Sequence, residues 1–257
     1  MTYNLRFDNP ADGVDAWPLR RDWVAQIVQE QNPDLLALQE AVVHQVRFME
    51  VTLHGFGRVG VGRDDGLEGG EFSPVYYRRD RFDLLESGTW WLSERPDSAG
   101  SRGWDAALPR VATWTRLRDK AAENDLVFVS THFDHMGEVA RRESARLLVE
   151  RLPLLAGDAP VVLAGDFNVE ETTAAYRIVV TASGEWTDAW IAAGAPLPRD
   201  TFTGFSADTP TSAGPRIDYV FVRGPMEVKG YQAGNDTREG RRPSDHRWIT
   251  TDLAWSK

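Results

Sequence analysis

Short apolar runs rich in Val, Leu, Phe and Trp alternate along this chain with longer amphipathic stretches, the rhythm of a layered α/β architecture. Strands are predicted over residues 2–7, 35–38, 56–61, 73–78, 84–92, 110–117, 126–133, 160–164, 217–222, 228–232 and 248–254. A helix is predicted after Pro18, with Trp23, Ile27 and Val28 on one face. A second is predicted over 138–152, with Val139, Ala145, Leu148 and Val149 inward, a third over 41–53, and a fourth from about Glu171. No repeat, low-complexity tract or Pro/Gly/Ser-rich linker divides the chain, so one domain over residues 1–257 is expected.

The polar residues that matter fall where these strands end. Glu40 follows Leu35-Leu36-Ala37-Leu38-Gln39, His132 closes the run from Leu126, Asp166 and Asn168 follow Val161-Val162-Leu163-Ala164-Gly165, and Asp245-His246 precedes the terminal strand. Strand ends and their loops are where a rigid scaffold presents chemistry to solvent. Carboxylates, amides and imidazoles together hold a hard divalent cation against a phosphate and activate water beside it.

Each of these residues also has a plain structural role open to it. Gly165-Asp166-Phe167-Asn168 is a turn in which Asp and Asn satisfy their own backbone, or a site where an acid moves a proton and an amide contacts a phosphate oxygen. Glu40 is a Mg²⁺ ligand or an acid favoured by the dipole of the following helix. Asn4 inside the first strand is a ligand or a satisfied core amide. Asp218, set in Ile217-Asp218-Tyr219-Val220, is costly in an apolar strand unless paired, and His246 is its candidate partner. Thr131-His132-Phe133-Asp134-His135 lacks the helical spacing of a zinc site, so His132 reads as a phosphate-facing or proton-handling group and Asp134 and His135 as rim residues. Arg110 is a bidentate phosphate clamp or a solvated strand edge. Trp90, Trp91, Trp104 and Trp114 either stack bases or, as is commoner on alternating strands, wall a core or cleft.

Composition narrows the classes. A 42% hydrophobic content with 10 Trp and 11 Phe suffices for a sizeable core. Against 39 Asp+Glu there are only 29 Lys+Arg, a net −10, so no overall field draws the protein onto polyanions. The absence of cysteine excludes disulfides, thiolate zinc sites and cysteine nucleophiles. No stretch approaches the ~18 consecutive apolar residues of a membrane span, and no basic-then-apolar leader opens the chain. A soluble protein is expected, cytoplasmic as written. Because residues 2–7 already read as a core strand, export after removal of a leader stays open.

Taken in order, Thr2-Tyr3-Asn4, Gln39-Glu40, Thr131-His132, Gly165-Asp166-Phe167-Asn168, Arg216-Ile217-Asp218-Tyr219 and Ser244-Asp245-His246 resemble the endonuclease/exonuclease/phosphatase superfamily, across almost the whole chain. The resemblance implies a deoxyribonuclease I-like four-layered α/β sandwich, two mixed sheets face to face and flanked by helices, with a Mg²⁺ or Mn²⁺ site at one end. It implies Glu40 as the principal metal ligand, with Asn4 and Asp245 near the ion. Asp166 is implied as the acid beside the attacking water or leaving oxygen, Asn168 as a phosphate binder, and His246–Asp218 and His132–Glu71 as two His–acid pairs. Arg110 and His135 are expected substrate contacts.

The expected reaction is metal-assisted hydrolysis of a phosphoester by in-line attack of water, in a monomer. Either a small or lipid-linked phosphodiester or a nucleic acid is the substrate, and a non-catalytic binding module on the same scaffold is the remaining alternative.

Overall fold

The computed structural model describes residues 1–182, 186–207 and 214–256. Among these residues, twelve strands form two six-stranded mixed sheets. The first takes β1 (Thr2–Asn4), β2 (Leu35–Gln39), β3 (Phe56–Val59), β4 (Val75–Arg78), β11 (Met226–Ala233) and β12 (Ile249–Trp255), in the order β11-β12-β1-β2-β4-β3. The second takes β5 (Phe82–Trp91), β6 (Val111–Asp119), β7 (Asn124–His132), β8 (Val161–Asp166), β9 (Thr187–Asp188) and β10 (Asp218–Arg223), in the order β5-β6-β7-β8-β10-β9.

Helices α1 (Trp17–Gln31) and α2 (Val43–Thr52) cover the first sheet, and α3 (Glu138–Ala156) and α4 (Ala174–Thr181) the second; α5 (Ala189–Ala192) is a single short turn. Among the described residues no helix is long and apolar enough to cross a membrane.

The continuous apolar runs follow from burial on both faces of each sheet. In β2, Leu36 and Leu38 pack outward against Val24, Ile27 and Met49 of the helices, while Ala37 faces the other sheet. In β8, Val161 and Leu163 pack against Leu148 and Leu152 of α3, while Val162 and Ala164 join the inter-sheet core. Helix, sheet, sheet and helix thus make four layers with three apolar interfaces.

Each sheet holds one parallel pair joined by a helix: β1–α1–β2 in the first, β7–α3–β8 in the second. Register sets Asn4 beside Gln39 in one pair and His132 beside Asp166 in the other. Carboxyl ends of parallel strands are where open α/β sheets gather ligand-binding groups, and here two such ends meet. Gly165 permits the second pair to close up, since a Cβ there would lie 2.0 Å from the Thr131 carbonyl oxygen.

Several boundaries differ from expectation for local reasons. The first strand stops at Asn4, not residue 7, because Arg6 adopts a left-handed φ of 56° and turns the chain toward Glu40. The strand predicted from 73 begins after Pro74, which has no N–H to give. Helix α2 starts at Val43, because Glu40 also has positive φ (60°) and Ala41 pairs with Phe72 instead. Glu40 is therefore not the first-turn acid of a helix. The fourth helix begins at Ala174, capped by Thr173, since Glu171 is held by Arg216 and Arg199. In α3, Ala145 and Leu148 face in as predicted and Val149 packs partly buried beside them, but Val139 is exposed, Ala140 and Ser144 complete the inward face, and the helix runs through Pro153.

Phe167 anchors the turn after β8. Its ring lies 4.7 Å from Phe133, 5.2 Å from Phe221 and 5.6 Å from Tyr219. Phe167→Ala is expected to cost about 3–5 kcal/mol in urea unfolding, and Phe167→Leu clearly less.

Candidate active site

Asn4, Glu40, Asp166, Asp218 and His246 arrive from both sheets at one end of the sandwich. Asn4, fully buried, donates from Nδ2 to Glu40 Oε1 (3.0 Å) and Asp166 Oδ2 (3.0 Å). Its Oδ1 accepts from the backbone N–H of Arg6 (2.9 Å), so Asn4 turns its donor rather than its oxygen toward the carboxylates. The other Glu40 oxygen accepts from Phe7 N–H (3.1 Å), and Asp166 Oδ1 accepts from Asn168 N–H (2.9 Å). Asn168 has a φ of 49°, a left-handed turn that asparagine tolerates and that brings its side chain back beside His132.

His246 Nδ1 donates to Asp218 Oδ2 at 2.8 Å, and its Nε2 faces Asp166 Oδ2 at 3.6 Å. The Asp–His partnership anticipated for Asp218 is thus formed. Backbone pairing of His246 with Phe202 helps set the segment that carries the histidine. Ser244 Oγ donates to the Asn4 carbonyl (2.7 Å), and Thr203 N–H donates to the Asp245 carbonyl (2.7 Å). Asp245 is buried, 3.8 Å from Arg6 Nε, and its Oδ1 accepts from Ser244 Oγ at 3.3 Å.

The electrostatics separate the two histidines. Burial alone would lower His246, but Asp218 and Asp166 overcome it and hold the imidazole well above its ordinary value, as a cation. His132 is held well below it by burial and by Arg110 and Arg63. Burial and the nearby Asp218 carboxylate push Asp166 up to about 7, and burial also raises Asp245. Environments that drive neighbouring titratable groups apart are how a site divides proton-holding from charge-holding roles.

Among the described residues, two groups of side chains bring ligand atoms within 4.8 Å of one another: Glu40, His132 and Asp166, and Asp166, Asp218 and His246. Asp245 belongs to neither. The donor set fits a divalent cation: carboxylates converge in a largely buried place, Asp166 is strained toward protonation, and Asp218 Oδ1 is buried without a hydrogen-bond partner.

The second His–acid pair is not formed as expected. Glu71 Oε2 stands 3.8 Å from His132 Nδ1, beyond hydrogen-bond reach, because both Glu71 oxygens are taken by Arg63 (2.6 and 3.0 Å). Arg110 occupies that ring nitrogen instead, at 3.1 Å. Arg110 is neither a solvated edge nor a free clamp: it is 4% exposed and bonded to Asp134, His132 and His135. Asp134 is correspondingly no rim residue but a buried anchor at 1% exposure, whereas His135 is exposed as expected. Trp91 and Trp114 are buried, and half-buried Trp90 packs on Trp114, so these three serve the core; Trp104 is half-exposed.

Sequence reasoning missed three arginines. Arg63 holds Glu71, Arg6 forms a two-pronged pair with Asp12 beside the site, and Arg20 is the least visible. Buried in α1, Arg20 donates to the carbonyls of Leu5, Arg6, Asp15 and Pro243, tying the β1 exit to the turn before His246. Its signal was present: Trp17, Arg20, Val24, Ile27 and Val28 recur at helical spacing, which sets a charge on an apolar stripe.

Comparison with known proteins adds an independent line. A family model described as Endonuclease/Exonuclease/phosphatase family matches residues 1–246. The chain is 37% identical to an endonuclease/exonuclease/phosphatase from Bacteroides vulgatus, with a TM-score of 0.93 and coverage of 99% of this chain and 97% of that one. It is also 37% identical to the mannosyl-6-phosphatase Bt3783 of Bacteroides thetaiotaomicron, with a TM-score of 0.92 and coverage of 99% and 98%. Nocturnin of Drosophila melanogaster is 25% identical over 180 residues; the match takes in 64% of this chain and 26% of that protein, so the chain spans about a quarter of that relative's length.

Proposed function

Since the chain belongs to the endonuclease/exonuclease/phosphatase family, we propose that it is a divalent-metal-dependent phosphoesterase acting on a compact phosphoester. The observation that carries the reading is the meeting of Glu40, Asp166 and Asp218 with two oppositely tuned histidines at one end of the sandwich. Glu40 is the residue we assign to hold Mg²⁺ or Mn²⁺, with Asp166 beside it and Asn4 and Asp245 in its surroundings. A bound ion of this kind neutralises phosphoryl charge and makes water more acidic.

The chain's own groups do the rest. His246, kept cationic by Asp218, donates from Nε2 to a phosphoryl oxygen, and Asn168 Nδ2 and His132 contact others. Asp166, whose carboxyl is pushed up to about 7 by burial and Asp218, takes a proton from the attacking water as its oxygen bonds phosphorus; the ester P–O bond opposite breaks, and the departing alcohol oxygen takes its proton from solvent.

For the substrate, a net charge of −10 leaves little counterion-release energy for a polynucleotide. The full-length likeness to a mannosyl-6-phosphatase favours a phosphorylated sugar as the compact substrate. Hydrolysis of mannose 6-phosphate, p-nitrophenyl phosphate, bis-p-nitrophenyl phosphate, RNA and DNA should be compared with Mg²⁺, Mn²⁺ and chelator. Turnover of the small esters that chelator abolishes and salt barely alters is expected. Preference for a polynucleotide with a steep salt dependence would establish the nuclease alternative, and failure to bind either cation would leave a binding module.

A further inference from the structure

The ring of His132 faces an N–H donor on both sides. Arg110 Nη1 lies 3.1 Å from Nδ1, and Asn168 Nδ2 lies 3.1 Å from Nε2. The Asn168 amide cannot simply be reversed, because its Nδ2 also donates to the Phe133 carbonyl (3.1 Å) and a reversal would set oxygen against oxygen. An imidazole carries at least one ring hydrogen, so at most one of the two donors can be accepted.

Arg110 is not the one that yields. A guanidinium keeps its protons, and this one is held in place on its other sides: Nε donates to Asp134 Oδ2 (3.3 Å) and Nη2 donates to His135 Nδ1 (2.9 Å). Asp134 is itself fixed by the N–H groups of Met136 (2.9 Å) and Gly137 (2.7 Å). The ring hydrogen of His132 therefore sits on Nε2, and the same contact places that of His135 on its Nε2. Beside Asp166 this leaves two donors, His132 Nε2–H and Asn168 Nδ2–H, which are close together and cannot bond each other. Asp166 Oδ2, at 3.5 Å from Nε2, satisfies that donor weakly at best. An acceptor belongs between them.

We propose that Arg110 is a positioning residue: it locks His132 and His135 as Nε2–H tautomers, making His132 a fixed hydrogen-bond donor to a phosphoryl oxygen. A carboxylate on Nδ1 would have made it a proton carrier instead. Only the identity of the acceptor rests on the phosphoesterase reading; the tautomers do not.

The test is nitrogen-15 correlation spectroscopy of the imidazole rings in the full chain near neutral pH, with the 5 histidines assigned by single His→Gln variants. His132 and His135 should both show an unprotonated Nδ1 and a protonated Nε2. Arg110→Met should mix the tautomers of both rings and lower kcat about 10- to 100-fold with little change in KM. Arg110→Lys should fall similarly, because a single ammonium cannot span two imidazoles, whereas a role in charge alone would leave it near wild type. A protonated Nδ1 on His132 in the wild type, or unchanged ring signatures in Arg110→Met, overturns the proposal. Should Arg110→Met not fold, the wild-type spectrum decides. A chain with the expected tautomers but no phosphoester turnover would sink the functional reading and leave this one standing.

Discussion

Asp166→Asn is expected to lower kcat by about a thousandfold or more while making the folded chain more stable. The carboxyl is 1% exposed, lies among Glu40, Asp218 and His246, and is pushed up to about 7 by burial and by Asp218. Because the folded state holds this proton more tightly than the unfolded chain does, stability falls as pH rises from the unfolded carboxyl value toward 7. Asparagine does not ionise and escapes that loss. Its advantage should be absent near pH 4 and complete above about pH 7, on the order of 1–3 kcal/mol after the lost attraction to His246 is allowed for. Urea unfolding in chelator at both extremes, with kcat measured in Mg²⁺, checks this. A variant that is active, or less stable at the higher pH, would remove Asp166 from the centre of the chemistry.

His246→Gln should reduce kcat by about 10²- to 10⁴-fold, and Asp218→Asn should approach the same loss without touching substrate. Asp218 acts through its 2.8 Å bond to Nδ1, which keeps the ring oriented and protonated. Without that charge the His246 pKa falls, so the alkaline limb of the rate profile should move to lower pH in Asp218→Asn. Residues that work as a unit are not additive, and the double variant should be scarcely slower than His246→Gln alone. Additive losses, or an unmoved alkaline limb, would show that the two act separately.

Much of this architecture is legible in the sequence, for a physical reason. Runs such as Val161–Ala164 and Leu35–Leu38 are apolar at every position because both faces of each sheet are covered, and that marks buried strands and their ends clearly. The acids and amides at those ends were legible as departures from the run. What was not legible lies in side-chain pairing across distant segments. Nothing in the order of residues says that Arg63 claims Glu71, or that Arg110 takes the ring nitrogen left over. Boundaries at Asn4 and Val43 moved because Arg6 and Glu40 adopt positive φ, which neither residue type advertises. Asp134 was misread because an acid after a strand resembles a rim residue until its guanidinium partner is in view.

The two parallel pairs, one in each sheet, have an outcome for how such a protein can diverge. Asn4 and Glu40 ride on one sheet and His132 and Asp166 on the other, so the candidate site is set by how the two sheets pack, with Gln39 donating to Ser130 (3.2 Å) across the seam. The turn from Asp64 to Gly70, just beyond the buried Arg63, is largely exposed and can be lengthened or exchanged without moving that packing. On the proposed reading, reactivity and selectivity would be housed in separate material, and grafting a rim from a relative would be a route to a new substrate on an unaltered engine.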